Sequence, residues 1–295
     1  MIKYAVIFII FISTAAYVGI SIYIASALTV NGDSPLKLDK KVIGDRVADV
    51  VFRSKDNAQL AGWFYQGTND KAIIFVHGAG NQNRANEVYG PPAIARYFYD
   101  KGYTMLLFDL RGTGQSEKTR ASFGQYEAND VAGAYEYMVT QEYKPQSIAI
   151  VSDSLGAIAT IMAADSIKDA GAIVLDSPAT EVKQIVSNIM KNERKVPTFL
   201  HPGSFLAAKL LYKIDVDAVR PIDKISVLSS TPLLFLNGEK DTLIEPFHTE
   251  ELMKKAGTGK RVVFSGSKHV EGFKDHPEQY LSEVEAFFDA NLSTD

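Results

Sequence analysis

Short, mostly apolar runs recur along this chain: Lys71–Val76 (KAIIFV), Tyr103–Leu110 (YTMLLFDL), Ser147–Ser152, Ala172–Leu175 (AIVL) and Thr231–Asn237 (TPLLFLN). Each is short for a helix and too evenly apolar for a strand with one wet face. That is how strands buried on both sides read. Helical patterns separate them at Asn86–Lys101, Gln125–Thr140 and Leu155–Ile167, and Pro277–Leu292 closes the chain. Strand alternating with helix predicts a mostly parallel sheet with helices on both faces. Val47–Arg53 and LAGWFY, joined across SKDNAQ, read as an antiparallel hairpin at the sheet edge, and Arg261–Ser265 as the last strand. In such sheets ligands bind beyond the carboxyl ends of the strands. Here those ends carry His77, Asp109, Ser154, Asp176, Asp241 and His269.

The stretch Ile148–Gly156 (IAIVSDSLG) predicts a strand that turns sharply into a helix with Ser154 at the apex. So tight a turn demands small residues two before and two after the apex, and Ser152 and Gly156 meet that demand. Choosing Ser152 as the apex would put Ile150 in the crowded position. The pattern is the nucleophile elbow, usually G-x-S-x-G, with serine here in place of the first glycine.

A serine hydroxyl attacks only when a base removes its proton and a third group orients the base. In this type of turn the order along the chain is serine, acid, histidine. His77 precedes the serine, His201 precedes any suitable acid, and His248 falls on the helix after Asp241. His269, in the loop directly after the last strand, is preferred over His276, which stands at a helix entry before Pro277. For the acid, Asp241 at the end of GEKD is preferred over Asp176, with Glu239 and Glu245 weaker rivals. Asp109, followed by Arg111, reads as a structural ion pair or loop anchor, and Asp153 as a supporting neighbour of the nucleophile. The developing oxyanion needs N–H donors. Leu155, just after the serine, supplies one, and Ala79 in the HGAG turn is the choice for the other.

The amino terminus adds a second constraint. Between Lys3 and Asp33 there is no charge, and Tyr4–Val30 is mostly apolar without a polar face. As a helix it reaches about 40 Å, enough to cross a bilayer. Residues 1–30 are therefore expected to be a single-pass membrane anchor. A cleaved signal peptide ending near Ala25-Ser26-Ala27 and a buried helix are the alternatives. Residues 31–46 read as a linker and 47–295 as the catalytic domain, with a helical insertion over the site at about 179–230. Lys37, Lys40, Lys41 and Arg46 would favour a cytoplasmic domain, whereas the short positive start before a long apolar helix favours export. The expectation adopted is an extracytoplasmic domain.

Composition excludes several classes. There is no cysteine among the 295 residues, which rules out disulfides, thiolate nucleophiles and cysteine-based zinc sites. The net charge is −4 with no long basic run, so nucleic acid is not an expected partner.

HGAG at 77–80, DLRGTGQS at 109–116, SDSLG at 152–156, GEKD at 238–241 and SKHVEG at 267–272 resemble the motifs of the α/β-hydrolase superfamily. The likeness is closest to membrane-anchored bacterial serine hydrolases of the Bem46 and ABHD12/ABHD13 type, and it spans about residues 47–292. The resemblance implies the α/β-hydrolase fold with an eight-stranded, mostly parallel sheet, no cofactor, and hydrolysis through an acyl-serine. Carried over by position, Ser154 is the nucleophile, Asp241 the orienting acid and His269 the base, with Ala79 and Leu155 as the oxyanion hole. The expected function is cleavage of a small-molecule ester or acyl substrate. A peptidase or amidase using the same residues, and a non-catalytic membrane-tethered binding module, are the alternatives.

Overall fold

The computed structural model describes residues 2–32, 34–80, 82–86 and 90–293. Met1, Asp33 and positions 87–89 of the first helix candidate lie outside the described residues.

In chain order the strands are β1 (Val47–Arg53), β2 (Gln59–Tyr65), β3 (Ala72–Val76), β4 (Thr104–Phe108), β5 (Ile148–Asp153), β6 (Ala172–Asp176), β7 (Leu233–Gly238) and β8 (Lys260–Phe264). Among the described residues they form one eight-stranded sheet in the order β1-β2-β4-β3-β5-β6-β7-β8. The hairpin β1–β2 and the β2–β4 pair are antiparallel, and every pair from β4 to β8 is parallel. This is the α/β-hydrolase fold anticipated above.

The helices are α1 (Ile2–Thr29), α2 (Pro91–Asp100), α3 (Glu127–Thr140), α4 (Leu155–Met162), α5 (Ala164–Ile167), α6 (Val182–Asn188), α7 (His201–Tyr212), α8 (Pro221–Lys224), α9 (Pro246–Ala256), α10 (Gly272–Asp275) and α11 (Pro277–Asn291). Two apolar layers follow from strand alternation. Ala72, Ile74 and Val76 point to one face, against Val131 and Met138 of α3, Ala157 of α4 and Leu252 of α9. Ile73 and Phe75 point to the other, against Ile94 and Phe98 of α2 and Val284 and Phe288 of α11. Burial of side chains this size stabilises by about 1.5–3 kcal/mol each, so the paired layers hold the strand ends in place.

Two helix boundaries differ from the sequence reading. The helix anticipated from Asn86 begins at Pro91, because Gly90 sits at φ +93° and Pro91 and Pro92 suit only a first helical turn. The helix anticipated over Leu155–Ile167 divides at Ala163, after Thr160 turns its hydroxyl back onto the Gly156 carbonyl at 2.8 Å. Such back-bonding bends helices.

Residues 179–230 are helical, with α6, a π-helical turn at Ile189–Glu193, α7 and α8. The amino-terminal helix does not stand apart from the domain. Its last turns pack on this insertion: the Tyr17 hydroxyl donates to the Phe199 carbonyl at 3.0 Å, and Ala25 is buried beside Ala207 and Ala208. Nor is the segment after α1 a free tether. The Asn31 side-chain amide donates to the Thr119 carbonyl at 3.2 Å, and the Asn83 side-chain amide to the Ser34 carbonyl at 2.9 Å.

Candidate active site

Ser154 stands where β5 passes into α4, with φ +48° and ψ −114°, a conformation serine rarely adopts. Three contacts hold the turn. The Ser154 amide donates to the Asp176 carbonyl of β6 at 2.9 Å. The Ser152 hydroxyl donates to the Val174 carbonyl, also of β6, at 3.0 Å. Gly156 lies so close to β3 that a Cβ there would meet the Val76 carbonyl oxygen at 2.3 Å. Serine at position 152 is thus compatible with the strained turn, since its hydroxyl is satisfied inside the sheet.

His269 follows β8, and its Nε2 lies 2.9 Å from Ser154 Oγ. Its Nδ1 lies 2.7 Å from Asp241 Oδ2. Asp241 follows β7 and is buried, and its other oxygen accepts from the Leu243 amide at 3.0 Å and the Ile244 amide at 2.9 Å. Because a carboxylate only accepts, Nδ1 is the donating nitrogen, and Nε2 is left to accept from the serine hydroxyl. Asp176, the rival acid, instead accepts from the Ser177 hydroxyl at 3.0 Å. Its carboxyl is pushed up to about 6 by burial. Glu239 is tied to the Ser265 hydroxyl and the Gly266 amide, and Glu245 precedes α9.

The other histidines are occupied elsewhere. His77 Nε2 accepts from the Leu110 amide at 3.1 Å, so its Nδ1 donates to the Gly78 carbonyl at 2.8 Å. Burial keeps it neutral. It ties the HGAG turn to the loop after β4. His248 bonds Thr180 at 2.8 Å, His276 bonds the Ser265 carbonyl at 2.8 Å, and His201 lies 3.3 Å from the Val196 carbonyl.

Asp109 is a loop anchor, but its partner is Arg84 rather than Arg111. The pair is fully buried, and Asp109 also accepts from the Arg84 amide at 2.9 Å and the Gln115 amide at 2.7 Å. The Arg84 guanidinium stacks 4.9 Å from the Trp63 ring. Arg111 turns instead to Asp130 and Asp56. Sequence reasoning passed over Arg84; a lone arginine after a glycine-rich turn gives no sign of which carboxylate it will meet.

Asp153 lies opposite Asp176 in the β5–β6 register, and its Oδ1 is buried without a hydrogen-bond partner among the described residues. Burial first, and the neighbouring Asp176 second, push it up to about 7.

Ser154 and His269 open onto a cavity of about 500 Å³. Ala79 and Leu155 line it too. Leu155 is the first residue of α4, so its amide has no carbonyl within the helix to bond. Most of the remaining wall is apolar: Leu28, Val30, Phe123, Val186, Ile189 and Leu243. Glu127 also reaches the wall, but its carboxylate is spent on the Ser122 and Gly124 amides, each at 2.8 Å.

Comparison with known proteins agrees with this architecture. Residues 67–225 match the family model described as serine aminopeptidase, S33. The chain is 24% identical over 261 residues to protein YfhR of Escherichia coli (strain K12), covering 84% of each. It is 26% identical to protein YqkD of Bacillus subtilis (strain 168), covering 74% of this chain and 70% of that one. Among solved structures, the esterase Pf2001 of Pyrococcus furiosus superposes with a TM-score of 0.74 at 22% identity, over 90% of this chain and 99% of that one. A puromycin-hydrolyzing peptidase of Mycobacterium tuberculosis gives 0.66 at 16% identity, over 88% and 42%. A membrane phospholipase A gives 0.62 at 15% identity, over 98% and 99%. The chain belongs to the serine aminopeptidase S33 family, and it is a serine hydrolase of the α/β-hydrolase fold.

Proposed function

We propose that this protein cleaves carboxylic esters through an acyl-serine intermediate on Ser154, with His269 as base and Asp241 as the orienting acid. The observation that carries the reading is the unbroken row from Ser154 Oγ through His269 to Asp241, at 2.9 and 2.7 Å, whose serine and histidine open onto a mostly apolar cavity.

In the first half-reaction, Oγ attacks the ester carbonyl carbon while His269 Nε2 takes the hydroxyl proton. Asp241 stabilises the imidazolium and fixes which nitrogen faces the serine. The amides of Leu155 and Ala79 donate to the carbonyl oxygen as it gains charge. Collapse breaks the bond to the leaving alkoxide, which receives the proton from His269. Water, deprotonated by the same nitrogen, then attacks the acyl-serine and releases the acid.

The make-up of the cavity favours an ester over a peptide. An aminopeptidase must hold the charged amino end of its substrate, which calls for an available carboxylate. Of the carboxylates lining the cavity among the described residues, Glu127 is already engaged and Glu193 is exposed to solvent. A fluorophosphonate probe is expected to label the protein, and Ser154→Ala to abolish labelling. Turnover of aminoacyl-amides at rates above those of simple esters would overturn the ester assignment.

The helix Ile2–Thr29 is long and apolar enough to cross a membrane. We read it as a retained anchor that leaves the domain outside the cytoplasm. Labelling of intact cells by a probe that does not enter them tests the side. Equal protection of the protein in intact cells, lost on lysis, would reverse it.

A further inference from the structure

Helix α7 has two faces. His201, Ser204, Ala207 and Ala208 are buried, and Gly203 lies against α1 so closely that a Cβ would meet Ser21 Oγ at 2.4 Å and the Tyr17 ring at 2.7 Å. The other face is open and carries Leu206, 56% exposed, and Leu210, 61%, beside Lys209, and Phe199 just before the helix is 67% exposed. The two helices run in the same direction, since Tyr17 meets Phe199 at one end and Arg120 links Thr29 (2.9 Å) to the Tyr212 ring (3.8 Å) at the other. The open face of α7 therefore has exposed apolar residues of α1 beside it, Val18 and Ile22 on one flank of the contact and Ile20 on the other. Contiguous apolar surface of this kind is rare facing water.

Length fixes where that surface lies. The 28 residues of α1 rise about 42 Å, whereas the hydrocarbon core takes about 20 residues. Counted from Ile2, the core ends near Ser21, the level at which Gly203 touches α1. Phe199 and Leu206 then sit at the edge of the hydrocarbon, with exposed Lys213 at headgroup level, where a basic side chain can reach outward, and Lys209 beside it paired to Asp215 at 2.6 Å. The end of α1 does more than anchor: Ala27, Leu28, Val30, Asn31 and Gly32 form one wall of the cavity that holds Ser154 and His269.

We propose that α7 is a second membrane-contacting element, standing beside α1 with its first turns at the edge of the hydrocarbon, and that the cavity takes its substrate from that leaflet: the acyl ester of a membrane glycerolipid. The proposal rests on the ester-hydrolase reading above. Ser154 Oγ would form the bond to the fatty-acyl carbon. The carbonyl carbon's bond to the glycerol oxygen would break, and that oxygen would leave with the proton from His269. Addition of one water would then release the fatty acid and restore the serine hydroxyl.

The absence of cysteine makes the test direct. The full chain carrying Leu210→Cys, labelled with an environment-sensitive fluorophore, is reconstituted into phosphatidylglycerol–phosphatidylethanolamine vesicles containing shallow spin-labelled lipid. Strong quenching at position 210, and none at a labelled Glu142→Cys on the opposite side of the domain, is expected. No quenching at 210 overturns the membrane contact whatever the chemistry. In parallel, Leu206→Glu/Leu210→Glu is expected to lower fatty-acid release from the vesicles at least tenfold while leaving hydrolysis of a short water-soluble ester within twofold. Equal loss on both substrates, or none on either, overturns delivery from the bilayer. Soluble-ester turnover without any fatty-acid release overturns the lipid substrate alone. Failure of the native chain on both substrates, with no probe labelling, would count against the hydrolase reading itself, while quenching at 210 would still establish the contact.

Discussion

The strand ends and the insertion are built by different means. At the strand ends each group of the proposed triad is over-determined. Ser154 is clamped by two bonds from β6 and by the close approach of β3, and Asp241 by two amides besides the histidine. The contact of α1 with α7 rests on small side chains, one tyrosine hydroxyl and one arginine, with open apolar faces to either side. The difference teaches where chemistry and selectivity separate. Bond making needs atoms fixed to a fraction of an ångström, whereas admitting a substrate needs a wall of the right polarity that can yield.

Substitutions can break that comparison, beginning with the largest expected effect. Ser154→Ala should lower kcat/KM for any ester on the order of 10⁴-fold or more while leaving the melting temperature nearly unchanged. Asp241→Asn should approach that loss, because its amide can keep the Leu243 and Ile244 contacts but presents the wrong partner to Nδ1. A loss below tenfold in either would remove the strand ends as the catalytic region. Next comes Gly156→Ala. Alanine usually favours a helix by about 1 kcal/mol, but here its methyl would press on the Val76 carbonyl. Destabilisation of about 2–3 kcal/mol in urea unfolding is expected, and stabilisation would mean that the elbow is not clamped.

Asp153 offers a pH-resolved effect. Its folded value near 7 lies above the ordinary 3.8 because of burial and Asp176. Between those values the folded chain binds more protons than the unfolded one. Its contribution to stability is therefore present at pH 4 and is lost as the pH rises through about 7. Asp153→Asn should be more stable than the native chain by about 4 kcal/mol at pH 8, with the gap closing toward pH 4; a constant gap in chemical denaturation would contradict the assignment. The mildest effect should come from the other region. Gly203→Leu, by pushing α1 from α7, should change turnover of a short soluble ester by less than about twofold, yet raise KM several-fold for long-chain esters that reach the Leu28 wall.

Much of the sheet was legible in advance because buried parallel strands announce themselves as short apolar runs. The order β2-β4-β3-β5 was not, since nothing local in Leu106 or Ile74 says which strand lies beside it. The juxtaposition of Ser154, His269 and Asp241 was anticipated because each sits at a strand end, where fold and chain order limit the choice. Arg84 escaped because its role depends on Asp109 approaching from another loop. The amino terminus carries more than the anchor and linker read there: residues between Ala27 and Gly32 also line the cavity. A run of apolar residues without a polar face carries no trace of which of its sides meets protein.

The elbow has a consequence for the history of the chain as well as its chemistry. The bonds that hold Ser154 at positive φ come from Val174 and Asp176, on a strand made after it. A growing or partly folded polypeptide lacks β6 in place, so the turn relaxes and the hydroxyl has no poised base. On the proposed mechanism, reactivity is tied to completion of the sheet. In refolding from denaturant, capture of the fluorophosphonate should begin only with the final kinetic phase, and a serine that reacts earlier would show that the turn forms on its own.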